Sequence, residues 1–158
     1  MRSFLVALAV DDVMLHRTYA ILPLHLTVLP RFVTSSMDDH MVCRVVYEAS
    51  RDIAPLMLKS VRQAKFGVRN ETDAHLVKRT PGIMQLHYAL LDRLAPHGLR
   101  LFRPEYAREG YLPHVSHVGP YTFGVGSEHS ADILYTVKVE TFDDGTFQGT
   151  VIGRSRLL

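Results

Sequence analysis

The sequence predicts an α+β fold, a single domain over residues 1–158 arranged as two similar lobes. Three observations carry that reading. Two short apolar runs, "HLTVL" from His25 and "HVSHV" from His114, lie in opposite halves of the chain, and each joins a histidine to an apolar residue and a hydroxyl residue. Each half also holds a helix with recognisable ends. The chain then closes on a hairpin pattern, so strands and helices are mixed rather than strictly alternating.

Taken in order, Ser3 to Val10 is a β-rich apolar run and reads as a central strand. Asp11 to Leu22 is mixed and carries no clear period. His25 to Leu29 is a second strand, and Pro30 marks its end. Residues 35–50, "SSMDDHMVCRVVYEAS", read as a helix. Ser35 or Ser36 caps it, Asp38 and Asp39 suit its positive end, and Met41, Val42, Val45 and Ala49 share a face. Ala54 to Phe66 holds a strand and a turn. The clearest helix follows Thr80 as cap and Pro81 as first residue, with a stripe of Ile83, Leu86, Leu90, Leu91 and Leu94, and ends at Pro96 to Gly98. Leu99 to Phe102 and His114 to Val118 are short strands. The tail from Ile133 forms a hairpin turning at Asp143-Asp144-Gly145.

Apolar residues make up 47% of the chain, enough for a core, and the net charge is only +2. With a pI near 8.8, that balance permits a phosphate-bearing ligand without demanding one. Cys43 is the one cysteine, so no intrachain disulfide and no cysteine-based zinc cluster forms. A soluble protein of a reducing, cytoplasmic compartment is expected. The start, "MRSFLVALAVDD", imitates a leader, but its apolar run stops at Asp11-Asp12 and reads better as the first core strand. No apolar stretch is long enough to span a bilayer as a helix. Oligomeric state is not legible.

Residues two apart on a strand share a face. His25 therefore projects with Thr27, and His114 with Ser116, while Leu26 and Val115 point the other way into a core. Two histidines facing one cavity make an acid–base pair, because an ordinary pKa of about 6.5 allows one to be neutral and the other charged near neutral pH. The neutral ring removes a proton from water or a hydroxyl, and the charged ring gives one to a leaving oxygen. Thr27 and Ser116 supply hydrogen bonds to phosphoryl oxygens that gain charge. No metal or other cofactor enters this scheme. With nine histidines in the chain, roughly one such triplet arises by chance. His16-Arg17-Thr18 is taken as that one, since it has no apolar middle residue. The competing reading is that His25 and His114 are ordinary strand histidines bonded to backbone.

The two motifs together resemble the paired signatures of the 2H phosphoesterase superfamily, which includes RNA 2′,5′-ligase-like proteins and cyclic nucleotide phosphodiesterases. The pattern is His, apolar, Thr or Ser, twice, about half a chain apart. "SFLVALAV", the segment from Pro81 to Gly98 and the closing "VKVETFDDGTFQGTVIGRSRL" resemble that family's first strand, pre-motif helix and terminal hairpin. Pro55 to Ala74 matches less clearly. The resemblance implies two pseudo-duplicated antiparallel-sheet lobes, each with a helix, around a central cleft. It implies metal-independent cleavage of a cyclic phosphate or of a 2′-5′ or 3′-5′ phosphodiester, with ligation as the reverse direction. The partner would be a nucleotide, a cyclic oligonucleotide or an RNA end, and no membrane. Which histidine is acid and which base is open, as is the choice between RNA processing and removal of a cyclic nucleotide signal. The rival is a nucleotide- or RNA-binding module that kept the cleft without useful turnover.

Aromatic residues near a phosphate cleft stack on bases. Phe32, Tyr111, Tyr121 and Phe123 flank the motifs and are the substrate-binding candidates, with core or rim packing as their other role. His117 falls on the strand face opposite His114 and is assigned to structure. His87 lies beside the helix stripe as a packing or bonded histidine. His40, His75, His97 and His129 have no ligand-like spacing with acids. Lys138 with Glu140, and Arg154 with Arg156, form charged strand faces that are solvated or touch phosphate. Cys43 reads as a small buried apolar residue, and "DDGTF" as a turn rather than a calcium loop.

Overall fold

A computed structural model describes residues 2–67 and 69–158. The chain runs through β1 (Ser3–Ala9), β2 (Thr18–Tyr19), β3 (His25–Val33), α1 (Asp39–Ser50), β4 (Leu56–Phe66), β5 (Thr72–Val77), α2 (Pro81–Leu94), β6 (Arg100–Leu101), β7 (His114–Ser116), β8 (Glu128–Ala131), β9 (Ile133–Thr141) and β10 (Phe147–Arg156). The ten strands form one sheet in the order β2-β10-β9-β1-β3-β7-β5-β4-β8, with β6 added to β3. Every pairing is antiparallel. The α+β expectation therefore holds.

The two lobes meet at a narrow seam. β1 pairs with β3 and β9 over long registers, but β3 meets β7 through a single registered pair, Leu26 with Val115. On one face of the sheet the two helices pack against each other, α1 also against β9 and β10 and α2 against β3. Beneath them lies the main core, in which Phe4, Val6, Leu8, Leu26, Val28 and Val115 meet the helix stripes. The alternate positions of β1, Ala7 and Ala9, join a second cluster on the opposite face with Tyr135, Val137, Val139 and Val151. Strand alternation thus gives β1 a helix-side set and a cleft-side set.

Local chemistry explains the element ends, with some departures from expectation. The α2 reading holds: Thr80 Oγ1 accepts from the Ile83 amide, Pro81 opens the helix, and Gly98 at φ +73° closes the short turn after it. In α1 the cap is Asp38, whose carboxylate accepts from the Met41 amide at 2.8 Å, not Ser35 or Ser36. The Ser35 amide and Ser36 hydroxyl bond the His97 carbonyl instead. Met41 is 41% exposed and lies off the buried face, which runs through Val42, Val46 and Ser50. β3 continues past Pro30 to Val33. The β1–β3 register slips between Phe4 and Ala7, so the ladder asks no regular amide hydrogen bond of the proline, and pairing resumes at Phe32. β5 and β8 carry mixed polar sequences, "TDAHLV" and "EHSA", that show no strand period; pairing with β4, and for β5 also with β7, makes them strands. The terminal hairpin turns at the expected place, with Gly145 at φ +84° and Asp144 accepting from the Thr146 amide.

Candidate active site

The seam sets the site. With Leu26 across from Val115 in an antiparallel pair, Thr27 comes across from His114 and His25 across from Ser116. Leu26 and Val115 are fully buried on the helix side, so the four motif side chains emerge together on the other face. His25 and His114 are diagonal neighbours, a relation that separates Cα atoms by roughly 7–8 Å.

Both imidazoles are fixed in the same way. His25 Nδ1 bonds the Pro23 carbonyl and His114 Nδ1 the Leu112 carbonyl, each at 2.8 Å and each two residues back along the chain. A carbonyl only accepts, so Nδ1 carries the hydrogen, and in the neutral ring Nε2 holds the lone pair. Burial lowers the pKa of His25, and the charge of His114 lowers it further, against a raising effect of the Pro23 carbonyl. Burial lowers His114 as well, while the Leu112 carbonyl acts in the opposite sense. Protonation of one ring therefore opposes protonation of the other, and the two titrate as a pair.

Two cavities open on either side of the seam and share Leu5 in their walls. One, of about 470 Å³, includes Thr27, His114, Phe66, Tyr111 and Arg31. The other, of about 330 Å³, includes His25, Ser116, His117 and Tyr19. Each motif thus contributes one residue to each cavity. The antiparallel crossing at Leu26–Val115 exchanges them.

Supporting side chains hold the motif strands in place. The Tyr111 hydroxyl donates to the Thr27 carbonyl at 2.8 Å. His87 is fully buried; its Nδ1 bonds the Val28 carbonyl at 2.7 Å and its Nε2 accepts from the Arg108 amide at 2.9 Å. The His87 and Tyr111 rings stack at 4.1 Å. This brace ties the backbone of β3 to the segment that leads into His114. The Phe66 ring stacks on His114 at 3.9 Å. Tyr135 sets its ring edge-on to His25 at 6.5 Å.

Among the aromatic candidates, Tyr111 alone lines a cavity that holds motif residues. Phe32 is fully buried against Phe4 in the helix-side core, and Phe123 is buried in the same core. Neither has a ring face available to a base: Phe32 falls on the same strand face as Leu26 and Val28, and Phe123 is buried in that core. Tyr121 is 66% exposed on the loop after β7, where its backbone pairs with Val118. His117 stacks on His75 at 5.0 Å, in keeping with a structural role, and also borders the His25 cavity. The tail cations are paired: Lys138 with Asp39 at 3.2 Å, Arg154 with Asp12 at 2.8 Å and Arg156 with Asp132 at 2.8 Å. Burial, with Asp39 beside it, pushes the Cys43 thiol up to about 11, which leaves it unreactive. Sequence reasoning missed Phe66, Arg31 and Tyr135, and it saw His87 without its partners. Phe66 and Tyr135 owe their places to a register or crossing between strands, of which local sequence carries no signal; Arg31 shares the face of Thr27 by alternation and was missed because the strand was taken to end at Pro30.

No family model matches the chain. A Bacillus licheniformis protein that carries the name phosphoesterase is 31% identical over 121 residues, covering 77% of this chain; the chain spans 64% of that relative's length. A crystal structure of a phosphoesterase superposes with TM-score 0.62 at 15% identity over 99% of this chain and 98% of its own. E. coli LigT with NADP+ gives TM-score 0.62 at 15% identity over 99% and 97%. The same E. coli protein has been solved with 3′-AMP and with ATP. The antiparallel sheet with two helices on one face is the fold of those structures. The chain thus has the fold of the LigT-like 2H phosphoesterases and is similar in sequence to a protein named phosphoesterase.

Proposed function

We propose that the chain is a metal-independent phosphodiesterase that uses His25 and His114 as a general acid and base on a nucleotidic phosphodiester. The observation that carries this is the Leu26–Val115 register. It presents two histidines and two hydroxyls around one gap, with both imidazoles tied through Nδ1 to carbonyls. The neutral ring takes a proton at Nε2 from water or a ribose hydroxyl. The oxygen so freed attacks phosphorus while the second ring protonates the leaving oxygen, and Thr27 and Ser116 donate to the two non-bridging oxygens. Ligation is the same path reversed. The substrate class is a cyclic phosphate, or a 2′-5′ or 3′-5′ linkage, of an RNA end, a cyclic nucleotide or a cyclic oligonucleotide. That E. coli LigT binds 3′-AMP, ATP and NADP+ supports a nucleotidic ligand. None of the described helices is long and apolar enough to cross a membrane.

The test is turnover, in EDTA, of a panel of 2′,3′-cyclic mononucleotides, 2′-5′ dinucleotides and cyclic di- and trinucleotides. At least one is expected to be cleaved. His25→Ala and His114→Ala should each lower kcat by roughly two to four orders of magnitude with binding largely kept, the usual range for a positioned acid or base. Saturable binding with no product would favour the binding module. Loss of activity on chelation, restored by one metal, would overturn the metal-free scheme, and a single mutant with near wild-type turnover would overturn the two-histidine scheme.

A further inference from the structure

We propose that Arg31 forms a second anion subsite in the same cleft and takes a neighbouring phosphate of the substrate, so that the preferred substrate is an oligonucleotide with more than one phosphate, linear or cyclic. This rests on the phosphodiesterase reading and extends it. Arg31 belongs to the wall of the cavity that also includes Thr27 and His114. It stands four residues beyond Thr27 on β3, which is about 13 Å along a regular strand and less where the register slips. A single phosphoryl group held at the seam does not reach that far, whereas a second phosphate on the same chain does.

The guanidinium is fixed by neutral groups. Nε donates to Ser3 Oγ at 2.7 Å and Nη2 donates to Thr141 Oγ1 at 2.7 Å. The group lies over the Phe102 ring at 4.3 Å. Ser3 is itself fully buried and passes its hydroxyl hydrogen to the Val139 carbonyl. Among the described residues no carboxylate pairs with Arg31, whereas Lys138, Arg154 and Arg156 each have one. A half-buried cation without a counter-ion is costly to hold, and packing on Phe102 alone would be served by an apolar side chain. Nη1 has no described partner. A planar fork held by stacking and two hydroxyls, with donors to spare, is suited to phosphate oxygens. Two other charged groups border the cavity. Glu71 turns its carboxylate to the Arg69 amide at 2.8 Å, and Arg103 pairs loosely with Glu105 at 3.7 Å. The negative charge of Glu71 disfavours a phosphate at the Gly67 end, which leaves Arg31 as the attractive end.

The experiment compares kcat/KM of wild type and Arg31→Gln on three substrates: a 2′,3′-cyclic mononucleotide, a linear trinucleotide ending in a 2′,3′-cyclic phosphate, and a cyclic trinucleotide. The readout is the quotient of each trinucleotide value to the mononucleotide value, which is insensitive to the fraction of folded enzyme. Arg31→Gln is expected to lower that quotient by roughly ten- to a hundredfold, the usual worth of hydrogen bonds to a charged group, mainly through KM. A fall in the linear arm alone assigns the subsite to linear oligonucleotides, and a fall in the cyclic arm alone to cyclic ones. An unchanged quotient in both arms overturns the proposal. If wild type cleaves none of the three and nothing in the wider panel of 2′-5′ dinucleotides and cyclic dinucleotides, the phosphodiesterase reading fails by itself. The same quotient taken from calorimetric affinities for these three compounds then decides the subsite, with the same two outcomes.

Discussion

Tyr111→Phe isolates the brace between the two motif segments. Tyr111 is 2% exposed and stacked on His87, and both features survive in phenylalanine. What disappears is the 2.8 Å hydrogen bond to the Thr27 carbonyl. Neutral hydrogen bonds contribute about 0.5–1.5 kcal/mol net, and a buried acceptor left unpaired costs about 1–3 kcal/mol. A loss of about 1–2 kcal/mol follows, and for a chain of this size that is a fall in Tm of about 2–8 °C. The same hydrogen bond sets the backbone of the residue whose hydroxyl is proposed to face the phosphoryl group. If the loss is carried into the transition state, kcat falls about five- to thirtyfold, with KM changed less than about threefold because Thr27 keeps its side chain. Thermal melts and steady-state kinetics on the best substrate of the panel measure both. A lowered Tm with unchanged kcat would refute the idea that this bond positions Thr27. A collapse in kcat with no loss of Tm would show instead that the phenol acts on the substrate directly.

The remaining predictions concern pH and the hydroxyls. Burial holds both site histidines below their ordinary pKa in the free protein. The one-neutral, one-charged state therefore peaks below pH 6.5: the base is lost on the acidic limb and the acid on the basic limb, so kcat/KM should be bell-shaped with its maximum there. A bound phosphate raises both pKa values, so the kcat optimum should lie at higher pH; a kcat/KM profile that is flat, or that peaks above about pH 8, would contradict the pairing. Thr27→Ala and Ser116→Ala should each lower the maximum by roughly ten- to a thousandfold without moving the limbs, while Thr27→Ser stays mild; pH–rate profiles of the three variants check this, and an unchanged rate in Thr27→Ala would remove that hydroxyl from the mechanism.

Much of this protein was legible from residues alone. Period-two alternation at His25–Thr27 and His114–Ser116 fixes which side chains share a face, because successive residues on a strand point to opposite sides wherever the strand lies. The Thr80–Pro81 start of α2, its leucine stripe and the Gly145 turn are equally local, since caps and turns depend on a few neighbouring dihedrals. What the tertiary structure decided is everything that depends on which strand lies beside which. The β3–β7 seam brings residues 89 positions apart in the chain, Leu26 with Val115, side by side and so puts both motifs on one face. The strand status of β5 and β8 comes from their partners rather than their composition. β3 runs on past Pro30, so Phe32 falls on the core face with Leu26 and Val28 while its neighbour Arg31 stays in the cleft wall with Ser3 and Thr141 as partners. Such placements follow from long-range pairing, whose energy is shared over a whole sheet, and no short stretch of sequence encodes it.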